Sequence, residues 1–237
     1  SRLGKLSCLV RGFTKIIAGL LGFSIATPAS LHAQETAALD IWTAAAKGDI
    51  DRLNTLLAED DEAANSCDEA GNSPLHHAAW NSQLVAMQLL LGYDADINLQ
   101  SDQLWTPLHW ATRNGRAQSV GWLLDHGAKV DVQAHLGQTA LHIAAEQNYR
   151  ASLALLLAAG ADPNAKDINS QTPVHLAALD GYTVTATQLL DSGGNIEAKT
   201  RWGATPLSAA AARGRTSTVA ALLLRKADVN PKTDAGW

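Results

Sequence analysis

The chain has 237 residues, 46% of them hydrophobic but only 5% aromatic, with a formal net charge of −5. That length suits one elongated domain, and an Ala- and Leu-rich, aromatic-poor composition favours tightly packed helices over a sheet sandwich. Arg2, Lys5, Arg11 and Lys15 all fall within residues 1–33, which hold no acid, so the remainder sets 14 basic residues against 23 acidic ones. A body that acidic lacks the electrostatic footprint of a nucleic-acid binder and gains nothing from an anionic membrane surface.

The first element in chain order is a leader. Its basic stretch runs into the apolar Ile16-Ile17-Ala18-Gly19-Leu20-Leu21-Gly22-Phe23-Ser24-Ile25-Ala26, then Thr27-Pro28-Ala29-Ser30-Leu31-His32-Ala33. Charged start, short apolar run and small-residue end are the three parts of a secretory signal peptide. Residues 1–33 are therefore expected to be one, cleaved after Ala33, with Ala29 as the second site. The apolar run falls short of the roughly 20 residues that span a bilayer. An exported chain, periplasmic or secreted, with no membrane insertion after cleavage, is the expectation. An uncleaved anchor and a mitochondrial-type presequence are the competing readings.

Beyond the leader, one block recurs at a spacing of 33 residues: Ser73-Pro74-Leu75-His76, Thr106-Pro107-Leu108-His109, Thr139-Ala140-Leu141-His142, Thr172-Pro173-Val174-His175 and Thr205-Pro206-Leu207-Ser208. Self-similarity at that period signals a stack of small units rather than one globular core. The register gives repeats at 68–100, 101–133, 134–166, 167–199 and 200–232. Residues 34–67 form a linker and a degenerate, more charged N-terminal capping repeat, and 233–237 open a truncated sixth repeat. Each repeat reads as two helices. Thr or Ser caps the first, and Pro is tolerated at its first turn because the missing N–H had no partner there. Ser82, Gly115, Asn148, Gly181 and Gly214 stop the first helix, at a position that suits a left-handed residue. The second helix carries Met87/Leu90/Leu91, Val120/Leu123/Leu124, Leu153/Leu156/Leu157 and Leu189/Leu190.

These blocks, with Gly ahead of Thr-Pro-Leu-His-x-Ala-Ala and a V-x-x-L-L-x-x-G-A second half, resemble the ankyrin repeat family over about 40–237. The resemblance implies an all-α ankyrin-repeat solenoid, stacked helix-turn-helix units with β-hairpin-like turns. Leu104 and Ser170 depart from it by replacing the turn Gly, and Asp94 and Lys226 by replacing Gly at the end of the second helix. In the family, the repeated His ties the turn to the helix start by hydrogen bonding.

Chemistry-bearing constellations are not found in the sequence. His76, His109, His142 and His175 recur at a repeat spacing near 10 Å, too far apart to share a metal whose ligands must lie at about 2 Å. There is no H-E-x-x-H, C-x-x-C, G-x-S-x-G or phosphate-cradling glycine loop. No enzyme, no metal and no cofactor are expected. The seven tryptophans are the stronger functional signal, because Trp and Arg dominate binding hot spots. By register, Trp105 and Trp202 lie on hairpins, and Trp80 lies late in a first helix. Asn81, Arg113, Asn114, Glu146, Gln147, Asp180, Arg201 and Arg213 join them on the concave groove that the family resemblance implies. The competing reading is that these tryptophans pack against the neighbouring repeat. Trp110 and Trp122 are assigned to packing and Trp42 to the cap. The expectation is a monomeric, non-catalytic module that binds another protein through that groove. The alternative is the N-terminal recognition segment of a larger secreted effector, enzyme or membrane protein.

Overall fold

The computed structural model describes residues 41–230. The leader expected at 1–33 and the residues 233–237 assigned to a sixth repeat lie outside them. Among the described residues every regular element is helical. A helix over 41–47 (α1) is followed by α2 (Ile50–Glu59) and a 3-10 turn, Asp61–Asn65. Pairs then recur: α3 (Pro74–Asn81) with α4 (Leu84–Gly92), α5 (Pro107–Arg113) with α6 (Ala117–Asp125), and α7 (Ala140–Glu146) with α8 (Arg150–Ala158). The last two are α9 (Pro173–Asp180) with α10 (Thr183–Asp191), and α11 (Pro206–Ala212) with α12 (Thr216–Leu224). This is an all-α repeat solenoid. The residues fall into two compact units, one ending at Ala111 and the other starting at Thr112.

The first-helix starts come from the Ser/Thr-x-x-His pattern. Ser73, Thr139 and Thr172 sit extended at the N-cap, each forming a capping box with the His three residues on. The box satisfies N–H groups that the first turn leaves unpaired. In the last repeat Ser208 takes over, its Oγ accepting from the Thr205 N–H at 2.9 Å. The helices stop where the chain turns left-handed, at Ser82, Gly115, Asn148, Gly181 and Gly214, with φ between 57° and 82°.

The core is built from the same positions repeated. In the first unit Leu53, Leu57, Leu75, Met87, Leu90 and Leu108 are fully buried, and in the second Leu123, Leu141, Ile143, Leu153 and Leu156. Each such side chain withdraws enough apolar area to favour folding by about 2 kcal/mol. Alanines at 78, 79, 144, 145, 177 and 178 are buried too, and their small size lets neighbouring first helices lie close. In the second unit α7, α9 and α11 pack side by side, α6 packs on α8, and α10 on α12.

Between second and first helices the chain makes a tight hairpin turn. Five are closed by an N–H bonding the carbonyl four residues on: Asp68 to Asn72, Ser101 to Trp105, Ala134 to Gln138, Asp167 to Gln171 and Thr200 to Ala204. The fourth hairpin residue is left-handed throughout. Gly71, Gly137 and Gly203 hold it with φ of 72° to 77°, but Leu104 and Ser170 are forced to φ 59° and 57°. A side chain in that region costs about 1 kcal/mol, part of which glycine gives back through a freer unfolded chain. Leu104 is also exposed, so little packing is lost with it. Leu104→Gly should therefore raise unfolding stability by about 0.5 kcal/mol, measured by urea titration; a loss of stability would show that the left-handed turn is not under strain.

Candidate functional site

The repeated histidines are structural staples. In His142, Nδ1 accepts from the Thr139 N–H at 3.2 Å and lies 2.9 Å from Thr139 Oγ1, so the neutral ring carries its proton on Nε2. That N–H donates to the carbonyl oxygen of Gln171 on the next hairpin at 3.1 Å. His76 reaches the carbonyl oxygen of Trp105 in the same way at 2.9 Å, and His175 that of Ala204 at 3.1 Å. Each ring thus stitches one repeat to the next. Burial disfavours the imidazolium and pushes His76 down to about 4, against a weaker opposing pull from the Trp105 carbonyl. Burial likewise lowers His142 and His175. Among the described residues no group of three or more His, Cys, Asp or Glu could hold a metal.

At the N-terminal end, Asp68 organises a hairpin. Its carboxylate accepts from the N–H groups of Ala70 and Asn72 at 2.9 and 2.8 Å and meets His77 Nε2 at 2.9 Å. Burial opposes its ionisation, but the hydrogen bonds from Asn72, His77 and Ala70 outweigh it and hold the carboxyl below the usual aspartate range.

The tryptophans divide into two kinds. In the first unit Trp80, Trp105 and Trp110 form one aromatic cluster. Trp80 meets Trp110 edge-on with centroids 4.8 Å apart, and Trp105 meets it at 6.0 Å and 71°. All three are half-buried, and the Trp110 indole N–H is buried with no acceptor among the described residues. Neighbouring Asn81 donates its side-chain N–H to the His77 carbonyl oxygen at 2.9 Å. By sequence Trp110 falls to packing and Trp80 and Trp105 to the groove, with packing against the neighbouring repeat as the competing reading. The cluster joins all three, Trp80 and Trp110 because residues about one repeat apart stand side by side.

In the second unit the exposed aromatic is Trp202, 60% accessible on the last hairpin with the Arg201 guanidinium 5.3 Å from its ring centroid. That distance is within cation–π range. Arg113 and Glu146 approach to 3.6 Å, an exposed pair of small energetic worth. Asn114, Gln147 and Asp180 are half-buried at first-helix ends, and Arg213 is exposed at the equivalent place after α11. Trp122 stacks on His126 at 3.8 Å on a second helix.

Sequence reasoning passed over the other hairpin tips. Leu136 is 49% exposed and Ile168 57%, each on a hairpin of the second unit. Adjacent tips are joined backbone to backbone. The Ile168 N–H donates to the Leu136 carbonyl oxygen at 3.0 Å, and the Arg201 N–H to that of Asn169 at 2.9 Å. The signal was present as a large apolar residue in a turn that otherwise favours polar ones.

A family model for ankyrin repeats (3 copies) matches residues 41–134, 101–167 and 141–233. The chain belongs to the ankyrin repeat family. Ankyrin stacks generally bind other proteins, and the domain is typically a non-catalytic interaction module. Over 58 residues the chain is 34% identical to the palmitoyltransferase akr1 of Schizosaccharomyces pombe, a stretch covering 24% of this ankyrin chain and 9% of that protein. Among the described residues no helix is long and apolar enough to cross a membrane.

Proposed function

We propose that this ankyrin chain is an exported, non-catalytic module that binds a partner protein through the surface formed by its hairpins and first helices. The observation that carries the reading is Trp202, a large aromatic left 60% exposed and flanked by Arg201 on a rigidly stapled hairpin. A side chain of that size displayed on an ordered scaffold loses little entropy on binding and buries much area. Arg213, Asp180, Gln147, Glu146, Asn114 and Arg113 extend the surface in the same unit. Trp80, Trp105 and Asn81 belong to the other unit, where the aromatic cluster gives Trp80 and Trp105 a packing role as well. The leader composition supports export to the periplasm or beyond, and the protein acts as a monomer.

The test is affinity capture with the full chain from the periplasmic and secreted fractions of its source cell, beside Trp202→Ala. A protein held by the wild type and released by the variant supports the reading; equal capture by both removes Trp202 from the site. Export is read separately, as loss of the mass of residues 1–33 from the chain recovered outside the cytoplasm. A second reading makes the chain the recognition segment of a larger effector, enzyme or membrane protein. The partial match to a much longer palmitoyltransferase is on its side, and the mass of the native protein decides.

A further inference from the structure

The net negative charge of the chain is unevenly spread over the hairpins. Those of the first unit carry Asp68, Glu69 and Asp102, whereas those of the second carry Lys166, Lys199 and Arg201 against one acid, Asp167, whose carboxylate is taken up by the Asn169 and Gln171 N–H groups of its own turn. Residues 199–226 hold Lys199, Arg201, Arg213, Arg215, Arg225 and Lys226 and no acid at all. The same three hairpins that are basic or uncharged at their tips expose Leu136, Ile168 and Trp202. Cations and large apolar side chains thus alternate along one edge of the second unit, and the hairpin-to-hairpin hydrogen bonds hold that edge in order. Lys166 and Arg201 are exposed and enter no ion pair with any described residue, and the Arg201 guanidinium lies 5.3 Å from the Trp202 ring centroid.

Resting on the protein-binding reading above, we infer that this edge takes an extended, acidic segment of a partner protein, with an apolar residue at every third position. The spacing follows from the stack. Packed helices lie about 8–10 Å apart, so three consecutive hairpins span about 20 Å. A segment in the polyproline II conformation advances about 3.1 Å per residue and returns to the same face every three residues, which makes one hairpin about three residues and the whole edge about six. Apolar side chains at that interval meet Leu136, Ile168 and Trp202 in turn, and the acids between them meet Lys166 and Arg201. Such charge complementarity selects the partner and speeds encounter, and the desolvated apolar contacts hold it.

Fluorescence anisotropy with the full chain tests this, using a labelled nine-residue peptide with Leu at every third position and Asp or Glu elsewhere. Two companions carry Lys for each acid, or Ser for each Leu. The acidic Leu peptide should bind at least tenfold tighter than either companion and weaken as salt is raised. Lys166→Glu/Arg201→Glu should weaken it at least tenfold, and Trp202→Ala should also weaken it. Arg52→Glu/Arg150→Glu, an equal change of net charge elsewhere on the surface, should leave it unchanged. Equal loss in both double variants would reduce the effect to bulk charge and overturn the inference, as would equal binding of all three peptides or binding of none. The broader reading fails separately. A captured protein whose retention survives Lys166→Glu/Arg201→Glu would leave the module a protein binder and remove only the acidic-segment assignment.

Discussion

Acidification from pH 7 to pH 4 should destabilise the fold well before its carboxylates titrate. The cause is the row of buried neutral histidines. An imidazole in the unfolded chain has a pKa near 6.5, whereas His76 in the fold is held down to about 4, and His142 and His175 are lowered too. Between those values the unfolded chain binds protons that the folded chain refuses, so stability rises with pH through the window. The contribution is fully present above about 6.5 and is lost as the pH falls toward the folded pKa. For His76 alone the loss by pH 4 amounts to roughly 3 kcal/mol, a large part of a typical domain's stability. Protonation would also place a charge beside the Ser73 N–H, converting an acceptor into a second donor facing a donor. Thermal melts at fixed ionic strength between pH 7.5 and 4 should show the midpoint starting to drop near pH 6.5. A flat midpoint down to pH 5 would mean that the rings titrate normally in the fold.

The period of the blocks made the fold class readable from sequence, because each repeat restates the same local chemistry. Thr or Ser with His three residues on writes a capping box, and a Gly, Ser or Asn after the helix writes a left-handed stop. These are local rules, satisfied within a few residues, and Thr139–His142 and Thr172–His175 obey them. What was less legible lies between repeats. Trp80 and Trp110 are separated by almost a full repeat in sequence and touch only once the repeats are stacked. The Arg113–Glu146 pair arises the same way. Net charge misleads for a related reason. It averages over the chain, whereas a partner meets one edge, and on the second unit's hairpins Lys166, Lys199 and Arg201 outnumber Asp167. Leu104 shows the converse, since its departure from glycine was legible and its φ of 59° is the physical consequence.

Trp110→Ala should cost the first unit about 3 kcal/mol of unfolding stability. The ring is the shared member of a three-tryptophan cluster, touching Trp80 at 4.8 Å and Trp105 at 6.0 Å. Its removal opens a cavity and forfeits two edge-on aromatic contacts, each worth about 0.5–1.5 kcal/mol beyond the buried area. The Trp105 carbonyl oxygen is also the acceptor for His76, so loosening Trp105 disturbs the staple between two repeats. Trp110→Phe separates packing from polarity. It keeps most of the ring contact and deletes an indole N–H that is buried without an acceptor, a group whose desolvation costs about 1–3 kcal/mol. The two effects oppose, so the Phe variant should lie within about 1 kcal/mol of wild type while the Ala variant lies far below. Urea titrations followed by far-ultraviolet circular dichroism give both numbers. An Ala variant as stable as wild type would show that the cluster contributes nothing to the fold and leave Trp80 and Trp105 to binding alone. Equal losses for Phe and Ala would place the stabilisation in the indole N–H, and so in a hydrogen bond absent from this structure.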